Sequence, residues 1–327
     1  MTALPQAIAE AQSRLRGFAV RTPLIPSPAL SAMTGLDVLI KPESLQPSGS
    51  FKVRGATNKL LRLDEAQRSR GVVTFSTGNH GCAVAWAARR LGSRAAVYVS
   101  ELVPPEKLDA LRELGAELVV AGASQNEAEE QAHARCAADG MALVHPFDDL
   151  DVIAGQGTIG AEIVVDCPAV DTVLVPVGGG GLSSGIAAAD KHAKPAARVV
   201  GLTIEHGSAM LDSQRAGRPV EVVEAATLAD SLGGGIGLDN AHSFRLVREL
   251  VDELVPLGED EIARGMVLGL LHAGLVLEGA GAAGLAALAA GKVRADGPVV
   301  VVLTGRRIAL QRLLELVAGF EAAPHGR

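Results

Sequence analysis

The chain has 327 residues, enough for about two domains at roughly one domain per ~150 residues. Hydrophobic residues make up 48% of it and charged residues 20%, a composition typical of a globular protein with a large core. A net charge of −7, with only one Trp, one Tyr and six Phe, argues against a nucleic-acid partner, because such surfaces are basic and offer aromatic rings to the bases.

Neither the N-terminus nor the cysteines indicate export. Residues 1–16 mix Gln, Glu and Arg with Ala and Leu, which predicts a surface helix rather than a secretion signal. Cys82, Cys136 and Cys167 are few, odd in number and not spaced as metal ligands. We therefore expect reduced thiols in a cytoplasmic protein.

Apolar β-rich runs alternate with helical patterns along most of the chain. The runs that predict strands are residues 37–41, 72–75, 95–99, 117–120, 172–177, 199–204 and 299–303. Ala- and Leu-rich segments of helical length lie at 83–91, 105–114 and 124–138. Because most strands are continuously apolar, they are expected to be covered on both faces. This pattern predicts an α/β fold of parallel sheets with helices on both faces.

Lys52 lies among small residues in the sequence Ser-Gly-Ser-Phe-Lys-Val-Arg-Gly-Ala, just before a predicted helix. Most lysines are solvated surface groups, but this one has Arg54 nearby, which we expect to lower its pKa. An amine with a lowered pKa is the form that attacks a carbonyl.

Residues 76–81, Ser-Thr-Gly-Asn-His-Gly, follow one predicted strand and precede a helix. Hydroxyls, backbone N–H groups and the helix dipole converge there, which suits a substrate carboxylate. The same segment could be only a helix cap with turn residues.

The four glycines from Gly178 to Gly181 follow the strand 172–177 and precede a helix that can begin at Leu182. Such a run lets several backbone N–H groups approach a phosphate closely. Alternatives are a plain tight turn, or a dinucleotide site with Glu205 on a ribose. The pattern lacks the spaced glycines of the dinucleotide fingerprint.

Residues 266–290 form a long apolar stretch, near the length of a membrane span. The stretch contains His272 and Glu278, and a charge at mid-membrane costs at least ~2.5 kcal/mol. We predict two buried helices that meet around Gly279, and no membrane partner. Glu278 is expected in a cleft, since a carboxyl in apolar surroundings must be paired, protonated or functional.

An aldehyde-reactive lysine and a phosphate-binding glycine run together suit pyridoxal phosphate (PLP), which carries both an aldehyde and a phosphate. Residues 68–150 contain three compact strand–helix units in a row. We predict that residues 1–67 and 151–327 form a large, discontinuous cofactor-binding domain and that 68–150 form a small domain. The active site would lie in the cleft between them.

These segments together resemble the fold-type II PLP enzymes (tryptophan synthase β-like), specifically the threonine/serine dehydratase and serine racemase group. The motifs that carry the resemblance lie at residues 21–24, 41–43, 52, 76–81, 154–158, 178–181 and 277–281. Within the group, residues 146–149 and 227–240 look like the hydroxyectoine utilization dehydratases.

The resemblance implies a role for each motif in binding the cofactor. Lys52 would hold PLP covalently and later move the α-proton. The phosphate would be bound by Gly178, Gly179, Gly180, Gly181 and Leu182. Asn79 would meet the ring hydroxyl, and Thr304 would meet the pyridine nitrogen. As a neutral hydroxyl, Thr304 cannot keep that nitrogen protonated, which favours loss of a β-hydroxyl.

The resemblance also implies how substrate is bound. The residues that would take its carboxylate are Ser76, Thr77, Gly78, Asn79 and His80. Thr77 aligns with the acid/base of the racemases. No metal is predicted, because Leu211 stands where the racemase-type cation site has an Asp. Arg306 and Arg307 stand where family members often have Gly-Asn or Arg-Asn, so the role of the expected asparagine, and that of the two arginines, is open.

We expect a PLP-dependent dehydratase that removes water from a β-hydroxy-α-amino acid, in hydroxyectoine catabolism, and that forms a homodimer. The alternatives are an L-threonine/L-serine dehydratase, a serine racemase-like enzyme, and a nucleotide-binding module without chemistry.

Overall fold

The computed structural model of the chain describes residues 3–76, 78–101, 103, 105–122 and 125–322. Its strands are β1 Ile25–Pro26, β2 Val38–Lys41, β3 Val72–Thr74, β4 Ala95–Val99, β5 Glu117–Val120, β6 Ala142–Leu143, β7 Thr172–Pro176, β8 Arg198–Ile204, β9 Glu253–Leu257 and β10 Val299–Val302. Its helices are α1 Ala3–Arg14, α2 Pro28–Thr34, α3 Lys52–Arg62, α4 Glu65–Arg70, α5 Asn79–Arg90, α6 Pro105–Glu113, α7 Gln125–Asp139, α8 Leu150–Asp166, α9 Gly181–Ala193, α10 Ala209–Ala216, α11 Ser243–Leu250, α12 Glu259–Ala273, α13 Gly279–Ala289 and α14 Leu310–Ala322.

The strands form two sheets, which confirms the predicted α/β class. The larger sheet has the order β1-β2-β10-β7-β8-β9 and the smaller one β5-β4-β3-β6. All pairs are parallel except β1 with β2. Along β10, Val299 and Val301 pack into one apolar cluster and Val300 and Val302 into another. Both faces of this strand are therefore covered, as its continuous apolar sequence predicts.

All seven predicted strands are present, with small differences at their ends. The structure adds β1, β6 and β9. Strands β1 and β6 have two residues each and carry no readable pattern. Strand β9 lies at the edge of the larger sheet and contains Pro256, which an edge position tolerates because one side needs no ladder hydrogen bonds.

The helix predictions hold for α6 and α7, although Ser124, predicted to start α7, lies outside the described residues. Helix α5 starts at Asn79, before the predicted residue 83, because the residues read as a turn are its first turn. The stretch 266–290 holds the end of α12 and all of α13, which begins at Gly279 as predicted. Among the described residues no helix combines the length and apolar character needed to cross a membrane.

The larger sheet takes β1 and β2 from before the smaller sheet and its remaining strands from after it. This interruption is what a discontinuous large domain requires. The boundaries 1–67, 68–150 and 151–327 stay a prediction.

A buried network of ion pairs ties β2, α3 and α8 together. Arg54 contacts Glu43 at 2.8 Å and Glu162 at 2.7 Å, and Lys41 Nζ lies 2.6 Å from Glu162. Burial acts to raise the pKa of Glu43, but Arg54, Thr22 and Lys41 together outweigh it, and the pKa lies below its usual value. Two cations and two anions balance here, so no charge is left uncompensated in the core.

Asp190 in α9 is a buried carboxyl of a different kind. Both of its oxygens lack a hydrogen-bond partner among the described residues. It faces α8, where a Cβ at Gly160 would lie 2.9 Å from its Oδ1. Burial raises the pKa of Asp190 to about 7, although Lys191 acts to lower it.

We predict that Asp190→Asn stabilises the protein only above acidic pH. The folded state keeps a proton that the unfolded state loses as pH rises from about 4 to 7, so the free energy of unfolding falls over that window. Asparagine carries no such penalty, and the expected gain at pH 8 is on the order of 2–4 kcal/mol. Urea unfolding at pH 4 and pH 8 measures it. An equal difference at both pH values would contradict the prediction, and Asp212→Asn on the surface should change little.

Candidate active site

Lys52 is the first residue of α3, and its Nζ donates a hydrogen bond to Pro146 O at 2.7 Å. Burial lowers the pKa of Lys52 to about 8, and the Glu278 carboxylate acts to raise it. The prediction that Arg54 lowers this pKa is wrong, because the Arg54 charge is taken up by Glu43 and Glu162. Lys52 is thus an amine that loses its proton near neutral pH.

The glycine run forms a tight entry to α9, which begins at Gly181. Gly180 has φ +86°, a conformation that favours glycine. A Cβ at Gly179 would lie 2.2 Å from ring carbons of Phe147, and a Cβ at Gly178 would lie 2.4 Å from Ser231 O. The first N–H groups of α9 have no intrahelical acceptor, so they are available to an anion.

The segment that follows β3 runs into α5 at Asn79. Ser76 O lies so close to the helix that a Cβ at Gly81 would be 2.0 Å from it. Gly78 is the residue before the helix, and Thr77 lies outside the described residues. Asn79 Nδ2 donates to Glu278 Oε1 at 2.5 Å, and the buried Asn79 Oδ1 has no hydrogen-bond partner within the described part of the chain.

His80 is buried, and its Nε2 lies 2.9 Å from Val144 O. Since a carbonyl only accepts, Nε2 carries the proton and donates, and Nδ1 is left as an acceptor with no partner among the residues that the structure describes. Burial, with the nearby Lys52, holds the pKa of His80 well below its usual value. The neutral ring cannot donate a second hydrogen bond, so only the backbone N–H of His80 is suited to a carboxylate.

Thr304 is buried at the end of β10, and its carbonyl accepts a hydrogen bond from Phe51 N at 3.0 Å. A β-bridge between Ser50 and Gly305 continues this contact. These bonds bring Thr304 next to the start of α3, where Lys52 lies.

Glu278 also lies in this cluster, and its position in a cleft stays a prediction. Burial and then Asp230 raise the pKa of Glu278 to about 7, while the Asn79 hydrogen bond acts to lower it. Its Oε2 accepts from Arg307 N at 3.1 Å. A Cβ at Gly305 would lie 2.1 Å from its Oε1.

The sequence analysis missed how residues 144–148 connect the site. We call them the 144–148 segment. The carbonyls of Val144 and Pro146 accept from His80 and Lys52, and Phe147 packs on the glycine run. The His145 ring accepts at Nδ1 from Asp148 N at 2.7 Å, and burial lowers its pKa to about 4. Residues 146–149 carried a subgroup signature, but nothing local indicated these contacts.

Comparison with known proteins identifies the fold and the chemistry. Residues 15–305 match the family model described as pyridoxal-phosphate dependent enzyme. The chain belongs to this family.

The relatives resemble this chain over nearly its whole length. A Sinorhizobium fredii protein with a provisional threonine dehydratase name is 46% identical, over 96% of this chain and 95% of its own. The L-threonine ammonia-lyase of Thermotoga maritima is 43% identical, over 92% of this chain and 75% of its own. The structure of maize serine racemase has a TM-score of 0.89 at 30% identity and covers 98% of each chain. The chain is a PLP-dependent, threonine dehydratase-like lyase.

The residues present fit this cofactor. One connected cluster holds a buried amine with a pKa of about 8, an Asn79 Oδ1 to which no described residue donates, and a glycine-lined helix start. Lys52, Asn79, the glycine run, Leu182 and Thr304 would hold PLP, which supplies a reactive carbonyl and an electron sink. Family membership overturns the dinucleotide alternative, and Glu205, its suggested ribose ligand, is exposed.

We predict that Glu278→Gln lowers the pKa of Lys52 further, because the attraction of a carboxylate for the ammonium is lost. Borohydride trapping of PLP on the protein, measured against pH, reports this pKa. Asp230→Asn is a control of opposite sign: it removes a charge that raises the pKa of Glu278, so Glu278 is more ionised and the pKa of Lys52 should rise. Equal shifts in both variants would refute this coupling.

Proposed function

We propose that the protein is a dehydratase that removes water from a β-hydroxy-α-amino acid. The observation that carries the proposal is the buried Lys52 amine, whose pKa of about 8 lets it take up and release a proton near neutral pH. The printed names of the relatives, L-threonine ammonia-lyase among them, support the reaction class.

Lys52 removes the α-proton while backbone N–H groups of residues 76–80 hold the substrate carboxylate. The β-hydroxyl gains one proton and leaves as water. The resulting enamine then takes up water to give a 2-oxo acid and ammonia. Thr304 would offer only a neutral hydroxyl to the ring nitrogen of the bound cofactor, which would favour elimination over reprotonation. The neutral state of His80 keeps an additional positive charge out of the site.

We propose further that the substrate is a hydroxylated diamino acid from hydroxyectoine breakdown. The two segments that resemble the hydroxyectoine utilization dehydratases, 146–149 and 227–240, both contact the glycine run, through Phe147 and Ser231. The carboxyls of Glu278 and Asp230 lie near each other and favour a second ammonium group on the substrate. L-Threonine, L-serine and racemisation are the alternatives.

We also propose a cytoplasmic homodimer. Three free cysteines fit a reducing compartment. An apolar groove of about 180 Å³, lined by Ile25, Leu45 and Leu275 among others, offers a surface for a second copy. Sedimentation equilibrium should give about twice the 33.5 kDa chain mass, and Leu45→Asp should lower it. A monomer in the unaltered protein would refute the dimer.

Changing Lys52 to Ala should abolish the visible band of the bound cofactor and the borohydride-fixed label, and lower turnover by about 10³-fold or more, because the proton carrier is lost. Absorption spectra, peptide mapping and keto-acid assays measure these effects. Lys59→Ala, on the same helix, is the matched control and should keep the band. A label that persists in Lys52→Ala would overturn the assignment.

The substrate proposal predicts that a hydroxylated diamino acid gives a kcat/KM about tenfold or more above those of L-threonine and L-serine, because it alone pairs its second ammonium with the carboxyls. Keto-acid output and α-carbon configuration are followed for each enantiomer. Configuration exchange that outruns keto-acid formation would refute the dehydratase. A preference for threonine would refute only the proposal that the substrate is a diamino acid.

A further inference from the structure

Asp148 bonds to a segment that lies far away in sequence. Its Oδ2 accepts from Ala241 N at 2.7 Å, and its Oδ1 accepts from His242 N at 2.9 Å and Ser243 N at 2.7 Å. Helix α11 begins at Ser243. The carboxylate therefore caps α11 from outside, where free N–H groups and the positive end of the helix dipole favour a negative charge.

The opposite end of the 144–148 segment is fixed to the smaller sheet. Val144 N donates to Val73 O at 2.8 Å, and Thr74 Oγ1 donates to Val144 O at 2.9 Å. The segment is thus held at both ends, by β3 at Val144 and by α11 at Asp148. Its middle residues, Pro146 and Phe147, are the ones that contact Lys52 and the glycine run.

The elements joined by Asp148 enclose the glycine run from two sides. A Cβ at Gly181 would lie 2.6 Å from Phe147 O, and a Cβ at Gly180 would lie 2.8 Å from Val247 Cγ2 of α11. The four glycines have no side chains that could hold the shape of the run. The orientation of its N–H groups therefore depends on the neighbours that pack against it, and Phe147 and α11 are two of them.

We propose that Asp148 is a positioning residue for the cofactor phosphate. By clamping the 144–148 segment to α11, it keeps Phe147 against Gly179 and holds the N–H groups at the start of α9 in place. Asp148 itself does not touch the cofactor. The inference rests on the assignment of the glycine run to the phosphate.

The test compares PLP with pyridoxal, which is the same aldehyde without the phosphate. Dissociation constants of both are measured by absorbance titration of the full-length protein after cofactor removal. The variant is Asp148→Asn. The matched control is Asp149→Asn, the same change one residue on, where the carboxylate caps α8 by accepting from Asp151 N and Val152 N.

Asp148→Asn should weaken PLP binding about tenfold or more and change pyridoxal binding less than twofold. Asp149→Asn should leave the ratio of the two constants at its value in the unaltered protein, although urea unfolding should show a comparable loss of stability in both variants. Equal weakening of PLP and pyridoxal by Asp148→Asn, or no weakening, overturns the proposal. The proposal is also overturned if Asp149→Asn weakens PLP binding, relative to pyridoxal binding, as much as Asp148→Asn does.

Gly179→Ala separates failure of this inference from failure of the phosphate assignment. Its Cβ would meet the Phe147 ring, so the run must shift and phosphate-selective affinity should fall. If Gly179→Ala loses the selectivity and Asp148→Asn does not, only the role of Asp148 is refuted. If Gly179→Ala keeps the selectivity, the phosphate assignment is refuted as well.

Discussion

The site depends on the burial of Arg54. Its guanidinium lies in the core between the carboxylates of Glu43 and Glu162, while Lys41 shares Glu162. Removal of one partner from such a group leaves an uncompensated charge in a medium that cannot solvate it, at a cost of about 3–5 kcal/mol. Because α3 begins at Lys52, only two residues before Arg54, this network also fixes where the reactive amine starts.

The same network explains why the Lys52 pKa is not set by its nearest cation in sequence. The positive charge of Arg54 is compensated by the carboxylates of Glu43 and Glu162, so it has little effect on the pKa of the Lys52 amine. Burial acts on Lys52 instead, and the largest effects on His80, His145 and Glu278 are also those of burial. Burial therefore brings the pKa values of Lys52 and Glu278 close together, at about 8 and about 7, while the rings of His80 and His145 stay neutral at that pH.

The sequence predicts the parts of this fold that are local. Continuous apolar runs such as 299–303 identify strands covered on both faces, and the glycine run identifies an irregular helix entry. The sequence does not reveal β6, which has only two residues. Nor does it reveal the hydrogen bonds that Asp148 accepts from Ala241, His242 and Ser243, because these join positions more than ninety residues apart. Such contacts follow from the way β3 and α11 are brought together by the whole fold, and no spacing rule encodes them.

The glycine run shows why a motif is ambiguous when it is considered alone. A phosphate site and a tightly packed turn both require glycine, for different reasons. Here Gly178 and Gly179 are already needed because Ser231 O and the Phe147 ring occupy the space of a side chain, before any ligand is considered. The neighbours of the run therefore distinguish a binding site from a turn. The run leads into the start of α9, whose first N–H groups have no intrahelical acceptor, and the buried amine of Lys52 donates a hydrogen bond to Pro146, next to Phe147.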